Sequence, residues 1–146
     1  MINVANQINA ASNIRYVHSD VFGLNSSHFS GELFSKVLMY GALQHLNRGE
    51  LERLLNLIIP FCEEHVLFVF GFIPNQEKKW RFYDTFLKKT KALYYKISGH
   101  DLIGTWWSKH EIERRFNSVG MQCQFADIPK GRYGFPYRFH VVARRK

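Results

Sequence analysis

The run Val66-Leu67-Phe68-Val69-Phe70-Gly71-Phe72-Ile73 contains no polar side chain. It is far shorter than the roughly 20 apolar residues that cross a bilayer as a helix. His65 to Phe72 is therefore expected to be a strand. A strand with no polar alternation is buried on both faces, as in a parallel sheet covered by helices. Leu33 to Tyr40 has too few polar positions to alternate cleanly and predicts a second buried strand.

Other elements follow from their end signals. Ile14, Tyr16 and Val17 predict a strand ending at Asp20, and Ile2, Ala5, Ile8 and Ala11 a short helix before it. Asn47 and Glu50 form a capping box ahead of Leu51, Leu54, Leu55 and Ile58, and Pro60 closes that helix. Gln76 to Tyr95 predicts a long helix with Trp80, Tyr83, Phe86 or Leu87, and Tyr94 packed on the sheet and lysines outside. A polar loop, Ser98 to Trp107, follows it. Ser108 and Glu111 form a second capping box, and Gly120 is the expected left-handed residue after that helix. Met121 to Ala126 and Tyr137 to Ala143 predict two closing strands. Alternating strands and helices imply a largely parallel sheet, and the closing pair an antiparallel addition.

A chain of 146 residues, 46% apolar and 22% charged, suits one folded domain over residues 1–146. Disorder, collagen and coiled coil are excluded. Cys62 and Cys123 cannot build a disulfide framework and read as buried thiols in a reducing compartment. The residues before Arg15 carry no charge and no long apolar run, so no signal peptide is expected and the expected location is the cytoplasm. The formal net charge is +8. Arg15, Lys36, Arg48 and Arg53 are cancelled by Asp20, Glu32, Glu50 and Glu52, so the whole excess lies beyond residue 60. Such asymmetry suits an anionic partner, or serves solubility.

The words inside these elements carry a resemblance. Phe34-Ser35-Lys36-Val37-Leu38-Met39-Tyr40-Gly41-Ala42-Leu43-Gln44-His45-Leu46 resembles the central strand and following turn of class I S-adenosylmethionine-dependent methyltransferases. Leu51 to Pro60 resembles their crossover helix and Val66 to Pro74 their next strand. Trp107-Ser108-Lys109-His110-Glu111-Ile112, running to Val119-Gly120-Met121, resembles a later helix of that family. Phe139-His140-Val141-Val142-Ala143-Arg144 resembles its last strand, and Ile14 to Asp20 its third. The implied fold is α/β: an incomplete Rossmann-like methyltransferase sandwich, its sheet mostly parallel with an antiparallel last strand. The implied parent activity is methyl transfer from S-adenosylmethionine to a small molecule, with proximity and orientation as the main source of rate.

The sequence also departs from the family. No G-x-G-type cluster precedes Gly23, and Asp20 is the first carboxylate. The glycine-rich turn and ribose-binding carboxylate that hold the family's cofactor are missing, so weak or lost S-adenosylmethionine binding is expected. Alternatives are a non-catalytic remnant or interaction module, and an anion- or nucleic-acid-binding module.

By resemblance, the Asp20 carboxylate faces the adenine amino group, with Val21 and Phe22 near the ring. Tyr40 and Gly41 reach the carboxyl edge of the sheet beside the methionine portion. Gln44, His100 and Trp106 are the candidate acceptor contacts, while Trp107 staples the following helix. His45 is the candidate general base, with a structural turn residue as its competing role. No metal site is expected from the scattered histidines. Gly131 to Phe139 resembles an RNA-recognition aromatic signature but breaks its order, and Pro136 would interrupt a central strand. It reads as a bent loop. Neither a membrane nor nucleic acid is an expected partner. Without two neighbouring strands, Leu33 to Tyr40 leaves an apolar edge open, which implies a homodimer.

Overall fold

A computed structural model describes residues 14, 16–29, 31–98 and 103–145, without the side chains of residues 92 and 95–98. The expected helix within residues 2–12 lies outside the described residues. The elements are β1 (Phe34–Tyr40), α1 (Arg48–Ile58), β2 (Cys62–Pro74), α2 (Lys79–Phe82), α3 (Phe86–Ser98), α4 (Lys109–Ser118), β3 (Met121–Asp127) and β4 (Arg138–Arg145). They build one sheet in the order β1-β2-β4-β3. β1 and β2 are parallel, and β4 is antiparallel to both β2 and β3. Three strands thus share one direction and the last opposes them, as the sequence implies.

α1 and α4 cover a single face of this sheet. Leu51 and Leu55 of α1 and Ile112 and Phe116 of α4 bury against Val66, Phe68, Phe70, Phe139, Val141 and Ala143. The capping box of α1 forms in full, with Asn47 Oδ1 accepting from Glu50 N and a Glu50 carboxylate oxygen accepting from Asn47 N. That of α4 forms by half. Ser108 Oγ accepts from Glu111 N, but the Glu111 carboxylate turns to Arg48 and Arg115 instead. Gly120 has the expected left-handed backbone, at φ 78°.

The other face corrects the expectation of strands buried on both sides. The strand register lines up Lys36, Leu67, Arg144 and Gln122 in one row and Leu38, Val69, Val142 and Gln124 in the next. Leu67, Val69 and Val142 are only half-buried, and Leu38 is 73% exposed. Both sheet-covering helices lie on the opposite side, so nothing described shields this one. β1 pairs only with β2 and is an edge strand with no fully buried residue. Residues 14 and 16–20 form no strand. An isolated extended segment has no ladder to join, and among the described residues no strand lies beyond β1 to receive it.

The long helix over Gln76 to Tyr95 is broken. Tyr83 leaves helical geometry at φ −90°, ψ 58°. Its ring buries with Ile103, Trp106 and Tyr137 in a second apolar cluster. Thr85 Oγ1 then accepts from Lys88 N, and the helix restarts as α3. The expected packed face is exposed on both pieces: Trp80 before the break and Phe86, Leu87 and Tyr94 after it face solvent and are not packed on the sheet. Among the described residues no helix is long and apolar enough to cross a membrane.

Candidate functional site

The parallel strands β1 and β2 run to the same edge of the sheet, where β1 ends at Tyr40, paired with Gly71, and β2 continues to Pro74. In open α/β sheets, ligands bind outside the carboxyl ends of such strands. Gly41 turns the chain at φ 67°, and its N–H donates to Gly71 O at 3.0 Å. Among the described residues, a Cβ there would meet no atom beyond its chain neighbours within 4 Å, so open space adjoins the turn. The Tyr40 ring is 64% exposed and stacks on Phe72, with centroids 5.5 Å apart and planes inclined by 15°.

The turn after β1 is tied to the segment before α4. Trp107 Nε1 donates to Leu43 O and Thr105 N to Gln44 O. Trp107 N donates to Pro74 O, which brings the same segment onto the end of β2. Gly104 lies against the Gln44 carbonyl so closely that a Cβ would stand 2.3 Å from the oxygen. Trp107 is wholly buried in the main core, and Trp106 is nearly buried in the second cluster. Trp106 also lines a cleft of about 290 Å³ with Arg48, Gln76, Lys79, Gly104 and Thr105.

Gln44 reaches into this edge. Its Oε1 accepts from Arg138 Nη1 at 2.9 Å, and the same nitrogen donates to Phe72 O at 2.6 Å. Phe72 has φ 64°, rare for a residue with a Cβ, at an irregularity in the β2–β4 register. Its N–H donates to His140 Nδ1 at 3.1 Å. The Arg138 guanidinium lies over the Phe72 ring, 4.2 Å from its centroid. Asn75, fully buried, accepts from Glu77 N through Oδ1, while its own N–H donates to Tyr137 O. Sequence reading missed Arg138, Phe72, Asn75 and His140. The available signals were an arginine opening the apolar run Phe139 to Ala143 and an asparagine closing that of β2.

The candidates therefore divide. Tyr40, Gly41 and Gln44 reach the strand ends directly, and Trp106 joins them through Gly104-Thr105. His45 is exposed; among the described residues its side-chain partner is the Gln44 amide, at 3.2 Å, and no carboxylate orients it. Asp20 is also exposed, and its Oδ1 caps its own turn by accepting from Phe22 N at 2.7 Å. Val21 is half-buried in that turn, and Phe22 lies under the Arg53 guanidinium of α1, 4.8 Å away. No hydrogen bond, ion pair or ring contact joins these three residues to Tyr40 or Gly41. His100 lies outside the described residues. Among the described residues, no cluster of metal-ligating side chains occurs.

The fold has counterparts among solved structures. Magnesium protoporphyrin IX methyltransferase from Synechocystis PCC 6803, with bound S-adenosylhomocysteine, matches 99% of this chain at 14% identity and a TM-score of 0.59. The plantazolicin methyltransferase BpumL, also with S-adenosylhomocysteine, matches 99% at 11% identity and 0.63. LepI with bound S-adenosylmethionine matches 99% at 10% identity and 0.64. The chain has a class I S-adenosylmethionine-dependent methyltransferase-like fold. It spans 57%, 62% and 33% of those three chains. No family model matches the sequence, and no curated protein matches it.

Within this methyltransferase-like fold, the residues present fit a cofactor on one side only. The open turn at Gly41 and the exposed ring of Tyr40 suit a ligand at the strand ends. The Asp20 carboxylate is already engaged by its own turn.

Proposed function

We propose that this chain forms the acceptor side of a methyltransferase-like site whose parent activity is methyl transfer from S-adenosylmethionine to a small molecule. The observation that carries this reading is the match of nearly the whole chain to methyltransferases holding S-adenosylhomocysteine. The cofactor supplies an electrophilic methyl group when bound. Tyr40 and Gly41 would lie beside it, and Gln44 and Trp106 would position the acceptor. His45 would be the base if the acceptor proton must be removed. This chain binds the cofactor weakly, because the Asp20 carboxylate is engaged in capping its own turn. We also propose that a second copy pairs along the open edge of β1.

Calorimetric titration with S-adenosylhomocysteine tests the reading. Each lost hydrogen bond to a polar ligand group removes roughly 1–3 kcal/mol. Two or three such losses turn a micromolar site into one of about millimolar strength. Micromolar binding would refute the impairment. No binding near 10 mM (about the practical ceiling of the titration) would refute the methyltransferase reading and favour an interaction module.

A further inference from the structure

Arg138 is 94% buried by its 6% residual exposure, yet it forms no ion pair among the described residues. Burial of an uncompensated charge is costly, so buried guanidinium groups are normally paired. The two recorded acceptors, Gln44 Oε1 and Phe72 O, are neutral and both bind Nη1. Nε is buried without a partner, and Nη2 makes no hydrogen bond among the described residues. These two nitrogens form one edge of the guanidinium, and their N–H bonds point the same way. That fork matches the two oxygens of a carboxylate.

The surroundings of the fork restrict the rest of the ligand. Arg138 lies over Phe72, whose ring stacks with both Tyr40 and Tyr133, at a centroid distance of 5.5 Å in each case. Tyr40 is 64% and Tyr133 82% exposed, so flat apolar surface is free next to the buried charge. Aromatic faces favour another flat ring at such spacing.

We propose that the Nε–Nη2 edge of Arg138 receives the carboxylate of a flat, apolar acid lying against the Tyr40–Phe72–Tyr133 rings. This deepens the reading of the β1–β2 edge as an acceptor site and rests on it. A flat acceptor acid fits both the fork and the rings, whereas the methionine portion of the cofactor shares only the carboxylate and would use the fork alone. Both present the same two oxygens to Arg138.

The test uses the full chain with sodium benzoate, benzamide and S-adenosylhomocysteine as probes. Binding is read by calorimetry and by the ¹⁵N–¹H signal of Arg138 Nε. Benzoate should bind at least about ten-fold more tightly than its uncharged isostere benzamide and shift the Nε signal, as expected for a charge-assisted pair. Arg138→Lys, which keeps the charge and loses the fork, should reduce that preference by about ten-fold. Equal binding of benzoate and benzamide, or an unmoved Nε signal, overturns the proposal. This comparison needs no variant, so a misfolded Arg138→Lys does not rescue it. Competition between S-adenosylhomocysteine and benzoate would support the site with the cofactor as its source. Independent binding would support it with the acceptor as its source. Benzoate binding with no response to S-adenosylhomocysteine would support the Arg138 site while refuting the methyltransferase reading.

Discussion

The indole Nε1 of Trp107 donates to the main-chain oxygen of Leu43 at 3.1 Å, across 64 residues of sequence. This bond fixes the turn after β1 against the segment that leads into α4. It also sets Gln44, the next residue, where its side chain can meet Arg138. The site is thus positioned by a buried tryptophan that touches no candidate ligand residue through its ring nitrogen.

Trp107→Phe should therefore destabilise the fold by about 2–3 kcal/mol, through one lost hydrogen bond and a small cavity. The Leu43 carbonyl keeps a second donor, Leu46 N, which limits the penalty. Urea unfolding with an unchanged slope and a lowered midpoint is the expected result. A midpoint equal to that of the parent chain would show that the bond carries no stability.

Gly104 gives a sharper steric case. Its φ is 89°, and a Cβ would stand 2.3 Å from the Gln44 oxygen that accepts from Thr105 N. Gly104→Ala must break that bond or move the turn, at a cost of about 2–4 kcal/mol. Thermal unfolding within a degree of the parent would contradict this.

Local signals carried most of the fold in the sequence. Asn47 with Glu50 marks the start of α1, and the apolar run from Val66 marks β2, because both depend on near neighbours in the chain. The break at Tyr83 was illegible for the opposite reason. Its aromatic spacing continues a helix, and only Trp106 and Tyr137, met in the folded chain, draw the ring out of it. Arg138 was equally hidden, since its partner Gln44 lies 94 residues away. Glu111 shows a third limit: a capping partner read from spacing was captured by Arg48 and Arg115 of the folded surface. The exposed face of β2 was misread because hydrophobicity marks what a strand can bury, not what is there to cover it.

The thiols provide a pH test. Burial, aided by the charge of Glu113, pushes the Cys123 thiol up to about 12, and burial also raises that of Cys62. A thiol raised in the folded state keeps its proton after the unfolded chain has lost one. Stability should consequently fall as pH rises above the ordinary thiol range, and the charge on Cys123 adds nothing to stability below it. At about pH 8 the thiolate fraction of folded Cys123 is lower than that of an unfolded thiol by roughly a thousand-fold. Iodoacetamide labelling followed by mass spectrometry should find Cys123 protected natively and reactive in urea. Equal rates in both conditions would refute the shift.

The open edge of β1 makes the final prediction. Phe34–Tyr40 pairs on one side with β2 and on the other with no described strand, which leaves N–H and C=O groups without ladder partners. Proteins seldom leave such an edge unprotected, and the single charge on this strand, Lys36, is a modest guard. Antiparallel pairing with a second copy about a two-fold axis at Val37 would extend the ladder and set Leu38 opposite Lys36 of its mate. Leu38 is 73% exposed in the single chain, so covering it costs no existing contact. Light scattering at micromolar concentration should give twice the 17.2 kDa chain mass. Leu38→Lys should dissociate the pair by placing a second cation opposite Lys36, while the exposed position leaves monomer stability within about 0.5 kcal/mol. A parent chain that scatters as a soluble monomer at that concentration would remove the edge pairing altogether.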